Sequence, residues 1–290
     1  MKHFLGAICL ILISSLGMAD LPPPFSIDRS QVVTLDSTLL ERRYDLFIQL
    51  PESFDENATR RYPFIFINDG NAWFPLATGV VRQLVRSNNI GEVIIVGISY
   101  SDEVSWQISR TRDYTPTYAP NETNYHSKEA REHSGGADAY LKFITTEVFP
   151  FLGKHYRADL NRKIYAGHSF GGLFGGYVLK KAPSAFDYYI LSDPSFWYDK
   201  GSIFKIEQNK EDDFQEQVSV LIVSANPDPS KEVSGPLKMK ENALDFGEAL
   251  RSNTKIDIEI SNLIFDGETH QTLFPIALSR GLRDYLGTKK

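Results

Sequence analysis

Apolar positions cluster in short runs separated by polar turns, and the spacing of those runs predicts the architecture. Gln31–Leu35 and Tyr44–Leu50 read as two strands, an antiparallel pair with Pro51 ending the second. Tyr62–Asn68 (YPFIFIN), Val93–Ile98 (VIIVGI) and Val218–Ser224 (VSVLIVS) are nearly continuous apolar runs, as expected of central strands covered on both faces. Lys163–Ala166, Tyr188–Ser192 and Ile256–Phe265 complete a set of eight. Between them the pattern predicts helices over Gly79–Asn88, Ala137–Phe149 (closed by Pro150), Leu173–Lys181, Met239–Ser252 and His270–Tyr285. Strands alternating with helices after a two-strand start predict an α/β fold, with a mostly parallel eight-stranded sheet and right-handed crossovers. From Ser99 to Gly136 the apolar rhythm dissolves into Tyr, Thr, Pro, Arg and His. A loop of that length is expected to be functional.

The N-terminus departs from this pattern. Lys2, the apolar run Phe4–Leu16 and the small residues Gly17-Met18-Ala19 predict a signal peptide of residues 1–19, cleaved after Ala19. The run is too short to span a bilayer, so no stable membrane insertion is expected after cleavage. Leu21-Pro22-Pro23-Pro24 is a stiff spacer to a single domain of residues 20–290. The only cysteine, Cys9, falls inside the leader, so disulfides and cysteine chemistry are not expected of the mature chain. Without residues 1–19 the chain keeps 30 basic and 37 acidic residues, a net charge of −7. That balance argues against nucleic acid or anionic lipid as a partner. A periplasmic or secreted protein acting on a small molecule fits it better.

Gly167-His168-Ser169-Phe170-Gly171 is a complete G-x-S-x-G between a short buried strand and a helix, the setting of a nucleophile elbow. The turn is so tight that a Cβ two residues either side of the serine is expected to collide, which Gly167 and Gly171 would avoid. A serine needs a base to take its proton and a third group to orient that base. In sheets of this kind the order is Ser, acid, His. Of the histidines at 126, 133, 155, 168 and 270, only His270 lies clear of the elbow on its C-terminal side. His126 and His133 default to loop surface. The acid is expected after the seventh strand, where Asp228 comes first and Glu232 second, with Asp193 an outside choice. For the oxyanion hole, the backbone N–H of Phe170 is one candidate donor. Asn71, or Gly70 beside it, is the other. No spacing in the chain resembles a metal or cofactor site, and none is expected.

The phrases YPFIFINDGNAWF, SRTRDYTPT, HSGGADAYLKFITTEVFPFL, GHSFGGLFGGYVL, LSDPSFWYD and FDGETHQTLFP, in that order, resemble the esterase D-like α/β-hydrolases, and most of all their siderophore trilactone esterases. The resemblance spans nearly all of residues 26–285. It implies an α/β-hydrolase fold in which Ser169 and His270 match the family's nucleophile and base. Some members work as a Ser–His dyad. Where a Gly-x-Glu-like stretch is common after the seventh strand, this chain has Ala225-Asn226-Pro227-Asp228. The expectation is thus an exported serine carboxylester hydrolase acting through an acyl-enzyme on Ser169, of which siderophore trilactone hydrolysis is the narrower version. The alternatives are an acyltransferase or a non-catalytic binding protein on the same scaffold. Trp73, Trp106, Phe196 and Trp197 are candidates to stack on catechol rings, and Arg110 or Arg112 to meet their negative charge. The structural alternatives are ordinary packing and an Arg112–Asp113 ion pair.

Overall fold

The computed structural model describes residues 25–122, 126–208, 217–226, 237–252 and 257–287. The expected leader with its cleavage site, Asp228 and Glu232 lie outside them. Strands β1 (Ser30–Ser37) and β2 (Arg42–Gln49) form the expected antiparallel pair. They are followed by β3 (Tyr62–Ile67), β4 (Ile94–Ile98), β5 (Ala158–His168), β6 (Tyr188–Ser192), β7 (Val218–Asn226) and β8 (Ile258–Asp266). All eight join one sheet in the order β1-β2-β4-β3-β5-β6-β7-β8, parallel from β4 to β8. The chain places β4 on one side of β3 and β5 on the other. Ligands in open α/β sheets bind beyond the strand ends at such a reversal.

The apolar runs are continuous because each buries both faces. On β3, Phe64 and Phe66 enter one core cluster while Ile65 and Ile67 enter the other. The first cluster is covered by α4 (Ala137–Phe143), α5 (Phe149–His155), α6 (Phe170–Lys181), α7 (Tyr198–Lys205) and α8 (Met239–Arg251). The second is covered by α1 (Gly70–Arg86) and α9 (Leu273–Leu286). Among the described residues, no helix is long and apolar enough to cross a membrane.

Several boundaries differ from expectation. Helix α1 begins at Gly70, so Asp69-Gly70-Asn71 is its cap and first turn, and Pro75 lies inside it. Pro150 does not close the fourth helix. A π turn over Ile144–Val148 precedes it, and the chain stays helical to His155. A widened turn accommodates a residue that lacks an N–H. His270 precedes α9 rather than opening it.

The segment Ser99–Gly136 contains α2 (Trp106–Tyr114) and α3 (Lys128–Arg131). Helix α2 lacks an apolar stripe because it buries polar groups: Ser109, Thr111, Arg112 and Asp113 are all inside. Arg112 Nε donates to Asp113 Oδ1 at 2.8 Å and Arg112 Nη2 to Ser101 Oγ at 2.8 Å, while Tyr44 donates to Asp113 Oδ2 at 2.9 Å. Each buried polar atom there finds a partner, as it must to avoid the cost of desolvation.

Candidate active site

Ser169 stands alone between β5 and α6, in a conformation L-residues avoid, φ 59° and ψ −116°. Such strain costs of the order of 1–3 kcal/mol and persists only where the surroundings impose it. Here they do. Ser169 N–H donates to the Ser192 carbonyl at 3.0 Å, and its own carbonyl accepts from Leu173 at 2.9 Å and Ser195 at 3.0 Å. The glycine expectation holds in part. A Cβ on Gly167 would run into the Gly171 carbonyl, but one on Gly171 would meet nothing nearer than Asn68 Cβ at 3.4 Å, an ordinary contact. The second crowded position is Gly172, 2.8 Å from Pro194 by the same construction. The fold therefore presses β6's exit loop against α6, one residue later than the motif suggests. Below the turn, Tyr165 donates to the Gly171 carbonyl at 2.5 Å and accepts from Asn68 Nδ2 at 3.1 Å.

His270 reaches this turn from the loop after β8. Its ring lies 4.4 Å from that of His168, centroid to centroid. Its Nδ1 lies 2.7 Å from Asp193 Oδ2. Among the described residues the carboxylate on His270 is thus Asp193, just after β6, the outside choice of the sequence; Asp228 and Glu232, expected after β7, lie outside those residues. Asp193 is buried with a left-handed backbone, φ 42°, and its other oxygen accepts from Ala225 N–H at 3.2 Å. That geometry aims the carboxylate across the end of β7, toward the histidine loop. Ser169 Oγ itself is 3.2 Å from Ser195 Oγ. His168, buried between Trp73 and His270, has its Nδ1 3.1 Å from Ser192 Oγ. Burial first, then the neighbouring His270 and Arg110, hold it well below the usual histidine range, so it stays neutral.

Two helix N-termini flank the serine. Phe170 and Asn71 occupy the first turns of α6 and α1, where backbone N–H groups have no intrahelical acceptor. Their parent strands are neighbours, with Ile67 paired to Ala166. Asn71 is fixed by its Oδ1, which accepts from Tyr100 N–H at 3.1 Å. Gly70 plays a packing part: a Cβ there would lie 2.7 Å from the Ile98 carbonyl, so only glycine lets α1 start this close to β4. A helix N-terminus favours a developing negative charge.

The candidate substrate residues fare unevenly. Arg110 is not a free cation: Nε and Nη2 bond Asp69 Oδ1 and Oδ2 at 2.8 and 3.0 Å, and its side chain is 12% exposed. Arg112 is likewise consumed by the buried network around Asp113. Phe196 is fully buried. Trp73 packs half-buried on Phe274, centroids 4.8 Å apart. Trp106 is 54% exposed against Tyr100. Trp197, 6.0 Å from the Phe170 ring, forms one wall of a cavity of about 450 Å³ that Lys200, Phe204, Lys238 and Asn242 also line. His126 is half-buried and not fully exposed: its ring lies 4.6 Å from that of Phe170. Burial, and then Arg110, push it down to about 4, so it too is neutral. No local pattern marks it, because its partner lies 44 positions away.

A family model described as "Putative esterase" matches residues 37–253. The chain is 31% identical over 271 residues to the ferri-bacillibactin esterase of Bacillus subtilis, covering 89% of this chain and 90% of that protein. It is 30% identical over 292 residues to the siderophore triacetylfusarinine C esterase of Aspergillus fumigatus, covering 91% and 96%. Among solved structures, an IroE-like serine hydrolase from Shewanella oneidensis superposes with a TM-score of 0.75 at 28% identity, covering 89% of this chain and 80% of that one.

Proposed function

We propose that this chain, which belongs to the esterase D-like "Putative esterase" family and is a serine esterase, hydrolyses a siderophore trilactone outside the cytoplasm. The observation that carries the chemistry is the 2.7 Å contact between His270 and Asp193 beside the strained Ser169 turn. Ser169 Oγ leaves Ser195, gives its proton to His270 and attacks the ester carbonyl. Asp193 holds the Nδ1–H of the imidazole and stabilises its charged form. The N–H groups of Phe170 and Asn71 receive the oxyanion. His270 then protonates the departing alcohol and activates the water that releases the acyl group.

The siderophore substrate is supported by the relatives, whose printed activities are siderophore esters, and by the shape beside the elbow. The cavity at Trp197 suits one aryl arm, and Lys200, Lys238 and Asp245 are among its lining residues. The test is a series of p-nitrophenyl esters of graded length set beside ferric and iron-free triscatecholate trilactones. A trilactone should exceed the best p-nitrophenyl ester in kcat/KM by about tenfold or more, worth ~1.4 kcal/mol in the transition state. An enzyme that turns over the short esters and leaves both trilactones intact overturns the substrate assignment.

Export follows from Lys2, Phe4–Leu16 and Gly17–Ala19, with residues 20–290 as the one catalytic domain. Mass spectrometry of the periplasmic fraction should find a mature N-terminus at Asp20. A cytoplasmic chain that still begins at Met1 sinks this part.

A further inference from the structure

The two oxyanion donors belong to separate segments, Asn71 after β3 and Phe170 after β5, yet one side chain touches the flanks of both. Arg110 grips both carboxylate oxygens of Asp69, the residue before Gly70-Asn71. Its Nη2 also reaches the carbonyl of His168 at 3.4 Å, and its guanidinium lies 5.3 Å from the Phe170 ring centroid. Those contacts fall on either side of Ser169. Asp69 is itself pinned in a left-handed conformation, φ 57°, by its N–H donating to Tyr114 Oη at 3.0 Å. Its carboxylate makes no capping bond to α1, the usual use of an aspartate at that position. It is turned onto Arg110, with the Tyr100 hydroxyl as a further partner.

We infer that Arg110 is a positioning residue that fixes the separation of the two oxyanion donors. The inference rests on the esterase reading above. A guanidinium on a carboxylate sets distance and angle together, whereas an ammonium would supply charge without orientation. A buried ion pair is weak evidence for a stabilising role, since desolvation offsets much of the attraction. Its location between two catalytic turns explains it better. Displacing a donor by about 1 Å costs on the order of 100-fold in rate.

The test compares Arg110→Lys, Arg110→Gln and the double variant Arg110→Gln with Asp69→Asn. The double variant removes both buried charges together and so protects the fold, which thermal melts monitor. The substrates are p-nitrophenyl butyrate and the anionic mono-p-nitrophenyl succinate, with a trifluoromethyl ketone as transition-state analogue. In every folded variant kcat should fall about 100-fold on both esters, KM should stay within about threefold, and ketone affinity should fall in step with kcat/KM. Arg110→Lys should not rescue. A rise in KM confined to the anionic ester would make Arg110 a substrate contact and overturn the inference. So would full rescue by lysine, or wild-type kcat in the folded double variant. Ser169→Ala run alongside separates the two levels. If it remains active, the esterase assignment to this site falls; if it is inactive while the Arg110 variants keep their kcat, only this inference falls.

Discussion

Ser169→Ala should abolish labelling by a fluorophosphonate and lower kcat by on the order of 10⁵ to 10⁶. The residual rate would come from substrate positioning and the two helix N-termini, which need no nucleophile. In the unsubstituted protein, peptide mapping should place the adduct between Gly167 and Gly171. Stability should barely move, because alanine keeps the Cβ that makes φ 59° unfavourable. Ser169→Gly should be equally inactive but more stable than Ser169→Ala by about 1 kcal/mol, since glycine adopts that conformation without strain. The same labelling reaction should slow sharply in His270→Ala, where the serine proton has no acceptor. Purified Ser169→Ala with full esterase activity would end the assignment of this turn as the nucleophile site.

Asp193→Asn should reduce kcat by about 10³ to 10⁴ with little change in KM, while Asp228→Asn stays within a few-fold of the unsubstituted enzyme. The reason is tautomeric. The buried carboxylate accepts from His270 Nδ1 and leaves Nε2 free to take a proton. An amide in its place can present its NH₂ to Nδ1, which moves the imidazole proton to Nε2 and removes the base. Asp193 has its other oxygen on Ala225 N–H, so its orientation is set by β7 and not by the histidine alone. Steady-state kinetics on both variants, with circular dichroism as a check on folding, decides the matter. Equal activity of Asp193→Asn and the unsubstituted enzyme would leave a Ser169–His270 dyad. A large loss in Asp228→Asn would restore the loop after β7 as the source of the acid.

The elbow and the sheet were legible in the chain because their causes are local. A strand covered on both faces must be apolar at every position, so Tyr62–Ile67 and Ile94–Ile98 announce themselves whatever lies around them. A serine at φ 59° needs a bare backbone two residues earlier, and Gly167 supplies it within the motif. Chain order isolated His270 as the one histidine beyond the elbow.

What only the tertiary structure decided depends on groups far apart in sequence. Asp193 and His270 are separated by 77 positions, and their meeting depends on a loop from β8 leaning across the end of β7. No spacing encodes that lean, so the sequence left Asp193 an outside choice. Helix α2 escaped notice for a related reason. Its inward face is Ser109, Arg112 and Asp113, which are tolerable inside only because Tyr44, Ser101 and each other satisfy them. Arg110 looked like a free cation for an anionic substrate until the fold placed Asp69 against both arms of its guanidinium. Apolar burial is a property of a residue and can be read from the residue. The fate of a buried charge is a property of a pair, and only the folded chain brings the pair together.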